Sequence, residues 1–264
     1  MMTNPTPPFI ELCNVSVVRS GRVVLHELNL RIEAGEHVAI MGPNGSGKST
    51  LIKTITRELY PLYDKSSSME LFGQGTWNVS ELRSMLGIVS NDIDPFLGRA
   101  ITGREAVLSG FFSSVGLSRH QEIKAGMSEK SDELLERLEI GHLGDRVMGE
   151  MSSGEARRVM IARALVHDPK ALLFDEPSNS LDVFAQMELR RTMSLLAQSG
   201  IGLLLITHHL PDVVPEIERV IFMRGGRIVG DGRKPELLTA DGLSALFGCP
   251  VQVTRQDGYY HLVS

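Results

Sequence analysis

The sequence is poor in cysteine and has no long apolar run. Its two cysteines, Cys13 and Cys249, lie at opposite ends of the 264 residues and have no metal-ligand spacing. They are typical of reduced thiols in a cytosolic protein. The most apolar runs, such as residues 201–206, are far shorter than the roughly 20 residues that cross a bilayer. The first residues lack the basic and apolar stretches of a secretory signal, so we expect none.

An excess of basic residues is also missing. The chain has 27 lysines and arginines against 32 acidic residues, a formal net charge of -5. This balance disfavours bulk nucleic-acid binding, which shows as a basic excess. Hydrophobic residues make up 42% of the chain, which is enough to bury the core of one large domain, with or without a smaller lobe.

Alternation of apolar and polar segments predicts an α/β fold. Phe9–Val18 and Val23–Ile32 have the pattern of antiparallel strands. The runs at 171–174 and 201–206 are continuously apolar, as in buried parallel strands. A helix predicted at Val183–Gln198 separates those two runs, and strand, helix and strand in succession imply a right-handed crossover in a parallel sheet.

Residues 91–167 are more polar and largely helical in pattern. Ser131 is predicted to cap a helix over 131–138. Arg157, Arg158 and Arg163 form a basic cluster that we interpret as a solvated helix face.

A glycine-rich segment, Gly42–Thr50, follows the apolar strand 37–41. It matches G-x-x-x-x-G-K-[ST], a loop whose backbone N–H groups hold phosphates at the start of a helix. Lys48 is expected to reach the β- and γ-phosphates, and the Ser49 hydroxyl to bind Mg²⁺. The motif alone indicates only a nucleoside triphosphate. The predicted phosphate-binding residues are Gly42, Pro43, Asn44, Gly45, Ser46, Gly47, Lys48, Ser49 and Thr50.

Two adjacent carboxylates follow the apolar strand at 171–174. Asp175 is expected at the carboxyl end of that strand, where parallel sheets bind ligands, and is predicted to hold Mg²⁺ directly or through water. Glu176 is predicted to polarise the attacking water as general base. Neighbouring carboxylates repel unless a cation lies between them, which favours the metal interpretation.

The stretch "MSSGEARRVMIARAL" from Met151 resembles the signature of the ABC-type ATPases, commonly Leu-Ser-Gly-Gly-Gln. "SNSLD" at 178–182 resembles the D-loop of that family, and "ITHH" supplies His208 at the switch-histidine position. The resemblance covers about Phe9 to Asp231. It implies a P-loop NTPase core with a mostly parallel sheet, an N-terminal antiparallel β layer and an inserted α-helical subdomain.

The resemblance also implies a division of the chain. We expect one ABC-type ATP-binding domain over 1–264, with its core and β layer at about 9–90 and 168–232. The helical subdomain is expected at 91–167. A C-terminal extension at 233–264 is expected to close the fold rather than to regulate it.

In the family, the signature of one subunit meets the γ-phosphate held by its partner. Ser152, Gly154 and Glu155 are therefore expected at the nucleotide, and a helix N-terminus there favours anions. Ser153 replaces the common glycine, and its β-carbon hinders a positive φ. Serine is small, however, and its hydroxyl can cap the helix or donate to a phosphate, so we expect Ser153 at the nucleotide too, in an active site with an altered signature.

Two further positions depart from the family pattern. Arg19 takes the place of an aromatic residue that stacks on adenine. Its guanidinium either stacks on the purine or is a solvent-exposed turn arginine. Asn91 takes the place of a glutamine that senses Mg²⁺ and the attacking water. It has the same amide on a shorter side chain, which affects the expected coupling geometry more than catalysis.

The function implied is an ATP-hydrolysing subunit of an ABC transporter that dimerises, with itself or a related subunit, around two Mg·ATP. Separate transmembrane permease subunits would be its partners. The resemblance also implies a cytoplasmic protein at the inner face of the membrane. The sequence looks most similar to molybdate-transport or photorepair-like ATP-binding proteins. Two alternatives stay open: a soluble ATPase acting on DNA or another macromolecule, and a regulatory module with weak hydrolysis. Glu176 and His208 argue against the second.

Overall fold

Residues 6–90 and 100–263 are described by the computed structural model, and they fall into two units. The first unit runs to Leu82 and resumes at Gly200, and the second spans Arg83–Ser199. The strands are β1 Ile10–Arg19, β2 Arg22–Ile32, β3 His37–Met41, β4 Ser68–Leu71, β5 Leu86–Val89, β6 Ala171–Asp175, β7 Gly202–Thr207, β8 Arg219–Arg224, β9 Arg227–Arg233, β10 Gln252–Gln256 and β11 Tyr259–Val263. The helices are α1 Lys48–Ile55, α2 Val79–Met85, α3 Gly103–Leu108, α4 Ala125–Arg137, α5 Ser153–Ala164, α6 Val183–Gln198, α7 Lys234–Leu237 and α8 Ala240–Phe247.

The antiparallel layer of the first unit has the strand order β2-β1-β4. β1 pairs with β2 from Ile10 opposite Ile32 to Arg19 opposite Arg22, with bulges between. Alternate side chains of β1 are buried on each side of the first bulge, Ile10 and Leu12 before it and Val15 and Val17 after it, as expected where one face of a sheet packs on a core. The predicted N-terminal antiparallel layer is confirmed.

A second sheet of the first unit has the order β7-β3-β8-β9. β3 is parallel to both neighbours, and β9 returns antiparallel to β8. All six residues of β7 are buried, because a parallel strand is covered on both faces. The predicted α/β fold with a mostly parallel sheet is confirmed.

β3 and β7 end side by side, and their ends determine where the candidate site lies. Met41 is the register partner of Thr207. The glycine-rich loop begins at Gly42, and His208 is the first residue after β7. Loops that follow neighbouring parallel strands lie at the edge of the sheet where ligands bind.

In the second unit, β5 and β6 pair in parallel, with Val89 opposite Phe174. Its α4 begins at Ala125, six residues before Ser131. The prediction that Ser131 caps this helix is wrong. Its hydroxyl instead donates to the carbonyl oxygen of Met127, one turn earlier, at 2.9 Å, which satisfies a serine inside a helix.

The first unit ends in a hairpin of β10 and β11. Its turn residues, Asp257 and Gly258, both have positive φ, as in the tight turns that match strand twist. Tyr260 of β11 is buried. No helix in the described ranges is long and apolar enough to span a membrane.

Candidate functional site

The glycine-rich loop joins β3 to α1 through backbone that only glycine adopts easily. Gly45 has a φ of 78° and Gly47, the residue before the helix, a φ of 105°. A side chain at either position is strained. The amide of Ser46 donates to the carbonyl of Pro43 at 3.1 Å. The loop therefore curls over the first turn of α1, whose backbone N–H groups have no partner within the helix.

The turn between β8 and β9 supports this loop. Gly226 donates its N–H to the carbonyl of Ser46 at 2.9 Å and accepts from His26 N at 2.9 Å. A β-carbon on Gly42 would lie 2.2 Å from the carbonyl oxygen of Met223. The β8–β9 hairpin thus holds the loop directly, and His26 of β2 holds the turn of that hairpin.

Lys48 lies within the loop rather than in solvent. Only 7% of it is exposed, and its Nζ donates to the carbonyl of Gly42 at 2.7 Å and that of Pro43 at 3.3 Å. The buried Oγ of Ser46 has no hydrogen-bond partner among the described residues. A buried ammonium, an unpartnered hydroxyl and a helix N-terminus form a cradle of donors, which fits a phosphate chain.

His208 is held at the adjacent strand end. The N–H of His209 donates to Thr207 Oγ1 at 3.0 Å, and that hydroxyl donates to Asp212 Oδ2 at 3.3 Å. The rings of His208 and His209 lie 4.0 Å apart. His208 is half-buried and His209 exposed, so the chain presents His208 on a fixed backbone beside the phosphate loop.

The two carboxylates lie in the second unit, at the end of β6. Asp175 is the last residue of the strand. Glu176 has a φ of +46°, a strained conformation for a residue with a β-carbon, and such strain is concentrated at functional sites. The N–H of Asn179 donates to the carbonyl of Glu176 at 3.2 Å, so the turn that follows stabilises the strained residue.

The signature segment, residues 151–155, forms a complete capping box at the start of α5. Ser152 is the N-cap, and its Oγ accepts from Glu155 N at 3.2 Å. Glu155 Oε2 accepts in return from Ser152 N at 2.8 Å. Arg146 lies 2.8 Å from the same carboxylate. The backbone N–H of Ser152, and then the Arg146 charge, lower the pKa of Glu155.

Ser153 and Gly154 contact the D-loop, residues 178–182, and the helix after it. The Oγ of Ser153 donates to the carbonyl of Ser180 at 3.2 Å. A β-carbon on Gly154 would lie 2.5 Å from Cβ of Ala185, in the first turn of α6. The glycine therefore allows α5 and α6 to approach closely at their N-termini.

Sequence reasoning missed Arg157. We interpreted the basic cluster as a solvated face, but Arg157 is only 3% exposed. Its Nη1 donates to the carbonyl of Ser90, after β5, at 2.7 Å. Burial lowers its pKa to about 10, and the charge of Asp175 opposes that shift. The interpretation is wrong for this residue, and Arg158 and Arg163 of the same cluster are half-buried rather than exposed.

The predicted site residues divide between the units. The first unit brings together the phosphate loop and His208, and the second brings together Asp175, Glu176 and the signature segment. Arg19 is exposed at the end of β1, next to the turn into β2, so both interpretations of its role stay predictions. Asn91 lies outside the described residues.

A strand–loop–helix phosphate cradle and a second parallel strand ending in Asp-Glu define a P-loop nucleoside triphosphatase. A protein-family model described as ABC transporter matches residues 25–179, more than half of the chain. The chain belongs to this family. It is an ATP-binding subunit whose general activity is ATP hydrolysis, in a family that works with membrane permease subunits.

Relatives with similar sequences cover nearly the whole chain. The uncharacterized ABC transporter ATP-binding protein YlmA of Bacillus subtilis (strain 168) is 32% identical over 249 residues, which are 92% of each chain. The hemin import ATP-binding protein HmuV of Rhizobium meliloti (strain 1021) is 31% identical over 256 residues, 93% of each chain.

Solved structures resemble the fold over similar lengths. The cbiO1 structure from Clostridium perfringens has a TM-score of 0.76 at 26% identity, covering 92% of this chain and 94% of that one. The ADP conformation of MJ1267, an ATP-binding cassette of an ABC transporter, has a TM-score of 0.77 at 27% identity, with coverage of 88% and 93%.

Proposed function

We propose that two copies of this chain enclose two ATP molecules and that hydrolysis separates them, driving transport through separate permease subunits. Each ATP would contact the phosphate loop, the carboxylates and His208 of one copy and the signature segment of the other. A two-fold symmetric pair uses the same surface twice and so completes both sites.

The exposed signature segment is the observation that carries this proposal. Ser152 and Ser153 are exposed at the N-terminus of α5, and the capping box orders them there. A helix N-terminus with the neighbouring Ser152 hydroxyl as a donor favours a phosphate. An ordered surface of this kind is suited to an anion that a second molecule brings to it.

The hydrolytic roles follow from side-chain chemistry. Glu176 would accept a proton from the attacking water, because an ionised carboxylate at a strand end is a competent base. Lys48 would balance the β- and γ-phosphate charge as a buried ammonium. His208 would donate to the γ-phosphate through a ring nitrogen. Fixed donors of this kind stabilise the charge that develops during phosphoryl transfer.

We assign the Mg²⁺ ligands to Ser49, Asp175 and Asn91. The hydroxyl, carboxylate and amide oxygens of these residues are the donors that Mg²⁺ prefers in proteins. Bound there, the ion would neutralise part of the phosphate charge.

For the partners, we infer permease subunits in a membrane, with this chain on the cytoplasmic side. The family membership and the lack of a spanning helix in the described ranges support this assignment. The finer placement among molybdate-transport or photorepair-like proteins stays a prediction. Hemin-import relatives such as HmuV favour import as the direction of transport.

The test is the mass of the Glu176→Gln chain by light scattering, with and without Mg·ATP. A chain that binds ATP without hydrolysing it should shift from monomer to dimer. Lys48→Ala in the same background should stay monomeric, since it cannot hold the phosphates. A Glu176→Gln chain that binds ATP by calorimetry yet stays monomeric at every protein concentration would contradict the proposal.

A further inference from the structure

Ser153 joins two functional segments of the same chain. Its Oγ donates to the carbonyl of Ser180 in the D-loop at 3.2 Å, across 27 positions of sequence. The glycine that the family commonly has at this position has no atom that could form this bond. The departure from the signature pattern therefore adds a contact.

The added side chain causes no backbone strain. Ser153 is the first residue of α5 and is not among the residues with positive φ. A β-carbon is tolerated in ordinary helical conformation. The serine can therefore be an adaptation of this site, which removes the reason to regard it as a defect.

The D-loop continues the contact to the main chain of Glu176. The N–H of Asn179 donates to the carbonyl of Glu176 at 3.2 Å, and the N–H of Leu181 donates to the carbonyl of Ser178 at 3.2 Å. Ser180 between them has a φ of 64°, which sets the direction of its carbonyl. Two turn hydrogen bonds thus order the D-loop between the Glu176 main chain and Ser180, whose carbonyl accepts from Ser153, next to Ser152.

We propose that Ser153 is a positioning residue for ATP hydrolysis, whose hydroxyl fixes Ser152 relative to the D-loop and thereby links the two ATP sites. This rests on the proposed two-copy arrangement, in which Glu176 and Ser152 of one chain serve different ATP molecules. The D-loop backbone and the Ser153–Ser180 bond link these two residues inside one chain, and so would join one site to the other. Such coupling requires that ATP at one site changes the stability of the contact between Ser153 and the D-loop, which in turn affects the other site.

The experiment compares Ser153→Ala, Ser153→Gly and Ser153→Thr in steady-state ATP hydrolysis by the purified chain. Alanine removes the hydroxyl, glycine restores the common family residue, and threonine keeps the hydroxyl. Ser80→Ala, at an exposed serine of α2, is the matched control. Loss of one neutral hydrogen bond is expected to lower kcat roughly threefold to tenfold.

Ser153→Ala and Ser153→Gly should both lower kcat while the KM for ATP stays within about twofold, because the ATP-holding loop is untouched. Their Hill coefficient for ATP should fall toward one. Ser153→Thr and Ser80→Ala should have the kcat, KM and Hill coefficient of the wild type. A single cooperative urea transition in every variant would show that each chain is folded.

A Ser153→Gly chain with the kcat and Hill coefficient of the wild type, or higher, would overturn the proposal. So would a Ser153→Thr chain as impaired as Ser153→Ala, because the hydroxyl would then not be responsible. The Glu176→Gln mass measurement distinguishes failure of the Ser153 proposal from failure of the two-copy arrangement on which it rests. If that chain forms the ATP dimer while Ser153→Ala turns over normally, only the Ser153 proposal fails. If no dimer forms, the two-copy arrangement itself fails.

Discussion

Arg157 and Ser90 connect the signature helix to the end of the β5 strand, with 2.7 Å between Nη1 of the arginine and the carbonyl oxygen of the serine. The arginine is buried, and Asp175 is near enough to oppose the lowering of its pKa. The arginine therefore donates to a main-chain carbonyl and lies within electrostatic range of the proposed metal ligand.

Replacing this cation should destabilise the second unit. Arg157→Met leaves the Ser90 carbonyl without its charged donor, and the free energy of unfolding should fall by about 2–3 kcal/mol in urea titrations. Arg191→Met, at an exposed arginine of α6, should change it by less than about 0.5 kcal/mol. Equal effects of the two substitutions would show that burial of Arg157 contributes nothing.

The glycine turn between β8 and β9 offers a matched pair of substitutions. A β-carbon on Gly226 would lie 1.9 Å from the carbonyl oxygen of Val24, whereas one on Gly225 meets nothing within 4 Å. Both residues have positive φ, so both alanines are strained, each by roughly 1–2 kcal/mol. Gly226→Ala alone should also displace the Ser46 contact and weaken ATP binding, measured by titration calorimetry. Equal ATP affinities for the two variants would contradict a supporting role for this turn.

Gly154 should tolerate a methyl group only if its neighbour becomes smaller. Gly154→Ala brings two β-carbons within 2.5 Å, and overpacking of this kind costs about 1–3 kcal/mol. We expect about a tenfold loss of kcat, because the start of α5 must move. Gly154→Ala with Ala185→Gly should recover most of the loss in the same assay. An unrescued double variant would mean that the packing against Ala185 is not the cause.

The capping box predicts that the free energy of unfolding falls at acid pH. The pKa of Glu155 is lowered below its ordinary 4.5, first by the Ser152 backbone N–H. Its stabilisation is therefore complete above about pH 4.5 and is lost as the pH falls through the lowered pKa. Glu155→Gln keeps an oxygen acceptor for Ser152 but does not titrate.

Urea unfolding at pH 7 and pH 3.5 checks this expectation. Between those two pH values, the wild type should lose more stability than Glu155→Gln does. At pH 7 the variant should lose less than about 1 kcal/mol, since the pair with Arg146 is partly exposed. Identical losses in both chains would assign the acid sensitivity to other carboxylates.

The individual strands and the phosphate loop were predictable because their signals are local. Seven positions separate Met41 from Lys48, and glycine spacing alone predicts the turn between them. Ser131 was mispredicted because its hydroxyl satisfies itself on the preceding turn, which the sequence pattern does not distinguish from capping. The burial of Arg157 and the Ser153–Ser180 hydrogen bond depend on residues distant in sequence. The periodicity of apolar residues therefore does not predict them.

The most direct measurement is the rate of ATP hydrolysis per chain as a function of protein concentration at saturating Mg·ATP, with Glu176→Gln as the control for contaminating activity. If a second copy completes each site, the rate per chain should rise with concentration and then level off as dimers form. A rate per chain that is constant from the most dilute sample upward, and that Glu176→Gln abolishes, would show that one copy suffices and would contradict the account.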